Sequence, residues 1–212
     1  MKKLLLLPIA LAFASNAAMA ANSVDLRVIG TITPGACNIS SSNGGEFAFG
    51  EIPFSSLNID TSTVVDALQA DLSIACSGPT QVAIRAMDNQ AGTAMGSASS
   101  TSYGLGIDSQ GAPIGYYTIM NDNAPLLDGS GVGIEHINSN DGGQAWTLLS
   151  NFSHMSHDGD LYSWSNGDTT PLHVTNVTHP LHLELTIAPT NSLDASSEIT
   201  IAGSATLELV YL

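Results

Sequence analysis

The chain has 212 residues, of which 43% are hydrophobic and only 11% charged, and its 19 acidic residues outnumber its four basic ones. This apolar content at low charge excludes intrinsic disorder. The acidic balance excludes nucleic acid and anionic lipid surfaces as partners, since both would repel it, and the length fits one domain with a substantial core.

In chain order, the first residues set the compartment. Lys2 and Lys3 precede an apolar run from Leu4 to Phe13, and Ala18-Met19-Ala20 places small residues where a signal peptidase reads. Residues 1–20 therefore read as a secretory signal peptide cleaved after Ala20. No later stretch reaches the roughly 20 apolar residues that cross a bilayer. Cleavage leaves Arg27 and Arg85 as the only basic residues.

Strand signals follow nearly everywhere. Val24, Leu26, Val28, Gly30 and Ile32 alternate with Asp25, Arg27, Ile29 and Thr31. Leu68, Ala70, Leu72, Ile74 and Cys76 keep the same period, as do Val82, Ile84 and Ala86. Leu181, Leu183, Leu185 and Ile187 form another such run, and Ala205, Leu207, Leu209 and Tyr211 the last. Period two marks strands with one buried face. A helical turn between Asp60 and Leu68 is the one departure that the pattern admits. Pro34-Gly35, Asn43-Gly44-Gly45, Ser77-Gly78-Pro79, Asp128-Gly129 and Asp158-Gly159 read as turns. Many short strands at this spacing predict an all-β antiparallel sandwich with Greek-key connections. Residues 91–177 are less regular and read as extra hairpins and loops, the natural place for ligand contact.

Cys37 and Cys76 are the only cysteines. In an exported chain the pair reads as a disulfide, with two buried free thiols as the alternative.

The two ends of the mature chain carry a resemblance. Val24 to Ile32 is an alternating apolar strand with Gly30 inside it, set before the first cysteine. Thr31-Ile32-Thr33-Pro34-Gly35-Ala36-Cys37 leads into the domain, and Glu46-Phe47-Ala48-Phe49-Gly50 follows the first cysteine. Ser204 to Leu212 closes the chain with Tyr211 penultimate. This order resembles the pilins of the chaperone–usher pathway, and most of all a group of fimbrial-like exported proteins gathered mainly under a domain of unknown function. The resemblance covers residues 21–90 and 180–212. It implies an incomplete immunoglobulin-like sandwich that lacks its last strand and is completed by a donor strand.

On that resemblance, residues 21–33 are a donor-strand extension and residues 34–212 the domain. Val24, Leu26, Val28, Gly30 and Ile32 are the donor residues, and Cys37 and Cys76 match the family's early disulfide. Ala205, Leu207, Leu209, Tyr211 and Leu212 form the C-terminal strand that borders the groove and meets the chaperone. The implied partners are other copies or related fimbrial subunits, a periplasmic chaperone and an outer-membrane usher. The implied location is the periplasm in transit and then a fimbrium on the cell surface. The chain departs from the family in being longer than a minimal pilin and in ending on Leu212. Val24 to Ile32 also suits the first strand of the chain's own sandwich. The alternative function is a minor or tip subunit, or a free periplasmic sandwich, that binds a receptor through the loops of residues 91–177. A tip adhesin carries an extra N-terminal binding domain and lacks a donor strand, and this sequence shows the reverse.

Enzyme chemistry is not expected. G-x-S-x-G, H-E-x-x-H and phosphate-binding glycine motifs are all missing from the sequence. His154 and His157 lie near Asp158 and Asp160, where imidazoles and carboxylates suggest a metal, but a polar loop is the plainer reading. Trp146 and Trp164 could stack on sugar rings, though core packing suits each better. The sequence thus predicts no catalytic residues, no metal and no cofactor.

Overall fold

A computed structural model describes residues 26–30, 36–96, 99–121, 125–149 and 153–212. The chain divides into two units, Met1–Thr33 and Pro34–Leu212. In the first unit, residues 26–30 form no regular element, and Leu26, Val28 and Ile29 are exposed. The signal region, Val24 and Ile32 lie outside the described residues.

The second unit is all-β. Its strands are β1 (Cys37–Ser41), β2 (Thr63–Asp88), β3 (Tyr103–Gly104), β4 (Gly115–Asn121), β5 (Leu126–Leu127) and β6 (Glu135–Ser139). They continue as β7 (Thr147–Leu148), β8 (Ser153–His154), β9 (Leu161–Ser165), β10 (His173–Ile187) and β11 (Ala205–Tyr211). Every pairing between these strands is antiparallel. One sheet runs β1-β2-β10-β4, with β3 and β8 on β4 and β5 on β10. The other runs β11-β2-β9-β6-β7. Their inner faces share one hydrophobic cluster, as in a sandwich.

Strand β2 makes this architecture because it belongs to both sheets. From Leu68 onward it keeps one apolar phase, with Leu72, Ile74, Val82, Ile84 and Ala86 all buried. The predicted turn at Ser77-Gly78-Pro79 does not end the strand. Asn176 faces Ala75, and the next pair is Val174 with Thr80, so the ladder to β10 skips β2 residues 76–79. Pro79 has no N–H to donate and sits in that gap, where the chain passes from one sheet to the other.

The helical turn expected between Asp60 and Leu68 is absent. Thr63 starts β2 instead, because β-branched Thr63, Val64 and Val65 favour a strand and Thr63 and Val64 pair with Ile187 and Thr186. Short 3₁₀ turns lie at Phe54–Ser56 and Thr190–Ser192.

Cys37 faces Cys76 directly across β1 and β2, and the two form a disulfide. Trp164 is buried on β9, as core packing required, whereas Trp146 sits half-buried in a loop.

A polar group crosses the core beside Trp164. The Trp164 indole N–H donates to His179 Nδ1 at 3.3 Å, so His179 carries its proton on Nε2 and gives it to Asn121 Oδ1 at 3.0 Å. The His136 ring stands edge-on to His179 at 5.0 Å. Burial, and then His136, push the His179 pKa down to about 3.

A base whose folded pKa is depressed stabilises the fold fully above its unfolded value and loses that contribution as pH falls below it. Unfolding measured by denaturant should therefore show a His179-dependent loss of about 2 kcal/mol between pH 6.5 and 5, at ~1.4 kcal/mol per unit. His179→Leu should flatten this slope, and an unchanged slope would contradict the neutral assignment.

Candidate functional site

Strand β11 pairs in register with β2 from Ala205 opposite Asp88 to Tyr211 opposite Val82. One step beyond each end, Asn89 N–H donates to Ser204 O at 3.0 Å and Leu212 N–H to Gln81 O at 3.1 Å. Opposed antiparallel residues alternate between hydrogen-bonded and non-hydrogen-bonded pairs. The even-numbered residues of β11 therefore bond to β2. The odd-numbered ones, Ala205, Leu207, Leu209 and Tyr211, point N–H and C=O the other way. Among the described residues β11 pairs with no second strand, so this is an open edge.

An apolar groove of about 600 Å³ lies along that edge. Leu72, Tyr117, Ile119, Leu181 and Leu185 make its floor from the opposite sheet, while Phe47 and Phe49 stand on one wall and Ala205 and Leu207 on the other. A second hollow of about 880 Å³ shares Phe47, Phe49 and Ile201 with it and reaches Leu57 and Leu193.

Local chemistry builds each wall. After β1, Asn43 Oδ1 accepts from the Ser41 hydroxyl at 2.6 Å and from Gly45 N–H at 3.0 Å. Gly44 and Gly45 take φ of +70° and +86°, which glycine adopts at little cost. The chain then runs through Glu46–Gly50 with Phe47 and Phe49 half-buried between exposed neighbours. On the other wall a Cβ at Gly203 would come within 2.9 Å of the Tyr117 ring and 3.0 Å of Leu105. The outer face of β11 is fixed by Arg85, whose Nη2 and Nε meet Glu208 Oε2 at 2.6 and 3.1 Å.

The residues expected to form the C-terminal strand fall together here. Ala205 and Leu207 line the groove, and Leu209 packs against the core beside it. The Tyr211 hydroxyl accepts from Cys37 N–H at 2.9 Å, tying the end of β11 to the disulfide. Leu212 follows, half exposed. Of the expected donor residues, Leu26, Val28 and Gly30 belong to the first unit. The sequence reading missed the floor residues from β4 and the wall from Leu193 to Gly203. Those segments meet only through contacts between residues far apart in the chain, and the local hint was the alternation of Ile199 and Ile201 about Thr200.

Among histidines, the sequence-adjacent pair separates. His157 lies edge-on to Tyr103 at 5.2 Å, with Nδ1 3.6 Å from Asp158 Oδ1, while His154 sits exposed on β8. An open edge beside an apolar trough is suited to one kind of chemistry, the capture of an extended strand by backbone hydrogen bonds and alternate side chains.

The family described as "Protein of unknown function (DUF1120)" matches residues 26–114. The chain is also similar to two proteins of Escherichia coli (strain K12). The uncharacterized protein YhcF is 28% identical over 229 aligned residues, covering 95% of this chain and 95% of that protein. Protein GltF is 25% identical over 240, covering 96% of this chain and 94% of that protein.

Gly203→Val should force the groove floor to shift and lower the unfolding free energy by about 1–3 kcal/mol, the range of an overpacked site. Urea titration checks this, and a variant as stable as the parent would mean that the floor yields freely.

Proposed function

We propose that the chain is a structural subunit of a bacterial surface fimbrium, built by donor-strand exchange. The observation that carries this reading is the open edge of β11 beside an apolar groove. The occupant is the segment 21–33 of a second copy or of a related subunit. Its apolar residues need a partner: Leu26 and Val28 are 89% and 97% exposed. Burying about four such side chains gains roughly 6–12 kcal/mol gross, before ordering costs. New ladder bonds to Ala205, Leu207, Leu209 and Tyr211 close an edge that otherwise aggregates. The contact is head-to-tail and does not close on itself, so it propagates.

In this reading residues 1–20 direct export, 21–33 are the donor strand and 34–212 the acceptor domain. A periplasmic chaperone shields the groove before an outer-membrane usher replaces it with the donor. The role is assembly, with no catalysis.

Two experiments test the reading. Periplasmic expression beside the cognate chaperone should give heat-sensitive, detergent-resistant ladders from the full chain and none from a chain lacking residues 21–33. A stable monomer that needs no chaperone, and that the same truncation destabilises, would assign the strand to its own domain. Gly30→Leu should stop ladder growth at wild-type protein levels, since a Cβ at Gly30 meets nothing within 4 Å in its own chain. Normal ladders from this variant would remove the argument that the donor backbone must lie close to a shallow part of the groove.

A further inference from the structure

The outer face of the first sheet, turned away from the groove, carries a row of three side chains from three strands. Met120 of β4 is directly opposite His182 of β10 and directly opposite His154 of β8. Directly opposed residues point to the same face of a sheet. That face is the outer one, because the neighbours Ile119, Leu181 and Met155, one residue away on each strand, are buried in the core. His154 is exposed, and Met120 and His182 are half-buried.

The pairing puts the three side chains within reach of one ion. Opposed residues hold their Cβ atoms ~4.5–5.5 Å apart. The two histidine backbones are therefore separated by about 10 Å, two strand spacings, with the thioether midway. Two imidazoles leaning inward over Met120 can share one ion with its sulfur. His182 needs only one ring nitrogen for this, which leaves the other for a neighbour, as metal-bound histidines usually do.

We propose that His154, Met120 and His182 form a binding site for monovalent copper. The donor set argues for that ion: a thioether is a soft ligand that selects Cu(I), and imidazole accepts copper while hard cations prefer oxygen. The strongly acidic chain adds a general attraction for cations. The site is on the sheet face away from the groove, so binding leaves the β11 edge open.

The test is an anaerobic titration of the mature full-length chain with Cu(I) against a chromophoric Cu(I) chelator. One equivalent should be withdrawn by the wild-type protein. His154→Ala and Met120→Leu should each lower the affinity at least tenfold, and His157→Ala should leave it unchanged. Met120→Leu conserves shape, and far-UV circular dichroism confirms that each variant is folded. Ag(I), the larger soft ion, should compete, and Zn(II) should not displace Cu(I) at equal concentration. No copper withdrawn by the wild type, or Met120→Leu binding as tightly as the parent, would overturn the assignment.

Discussion

The open edge of β11 is the constraint around which the domain is arranged. A strand with one unpaired side leaves N–H and C=O groups that must find partners or water. Here the same residues that turn side chains inward also turn their backbone groups outward along the edge, so side-chain pockets and hydrogen bonds are presented together. An incoming strand would satisfy both at once, which is why the groove and the edge form one feature. The walls follow from it. Phe47, Phe49 and Ile201 line both hollows over the opposite sheet.

Strand β2 makes such an edge tolerable. It belongs to both sheets, pairs with β1, β9, β10 and β11, and so ties the rim of the groove to its floor. The Cys37–Cys76 disulfide and the Tyr211 bond to Cys37 N–H fasten β1, β2 and β11 at one end. Closing a loop of about 40 residues contributes roughly 4 kcal/mol in the chain-entropy account, a substantial share of a domain's net stability. The buried Trp164–His179–Asn121 group lies on the strands next to this frame. It fixes β4, β9 and β10 by directional bonds where apolar packing alone would permit sliding.

In the two proposals the tasks lie on separate faces. The groove is formed by inward residues of β4 and β10 together with β11, whereas the His154–Met120–His182 row uses outward residues of β4 and β10 with β8. Period two permits this: a single strand serves the core with one set of residues and the solvent with the other.

Much of the fold was legible because strand burial is written locally. The alternation in residues 68–76, 82–86, 181–187 and 205–211 named the strands and their inner faces, and the cysteine count, on the reading of an export signal, pointed to the disulfide. Phe47 and Phe49 were visible as a motif, and they stand on the groove wall. The proline and glycine at 78–79 misled, because a local turn signal cannot show that partner strands change there. Likewise Asp60–Leu68 admitted a helical turn until pairing with β10 settled it as strand. Register with distant strands lies outside any short window of sequence. Long-range packing set Leu193–Gly203 near Phe47 and put His179 within reach of Trp164, and strand register placed His154 beside Met120 and His182. The sequence by itself determined which residues form strands and which side of each is apolar, since those depend on near neighbours. Tertiary structure decided which strands pair, which strand edge is open among the described residues and which side chains meet across the sheets, since those depend on contacts between residues far apart in the chain.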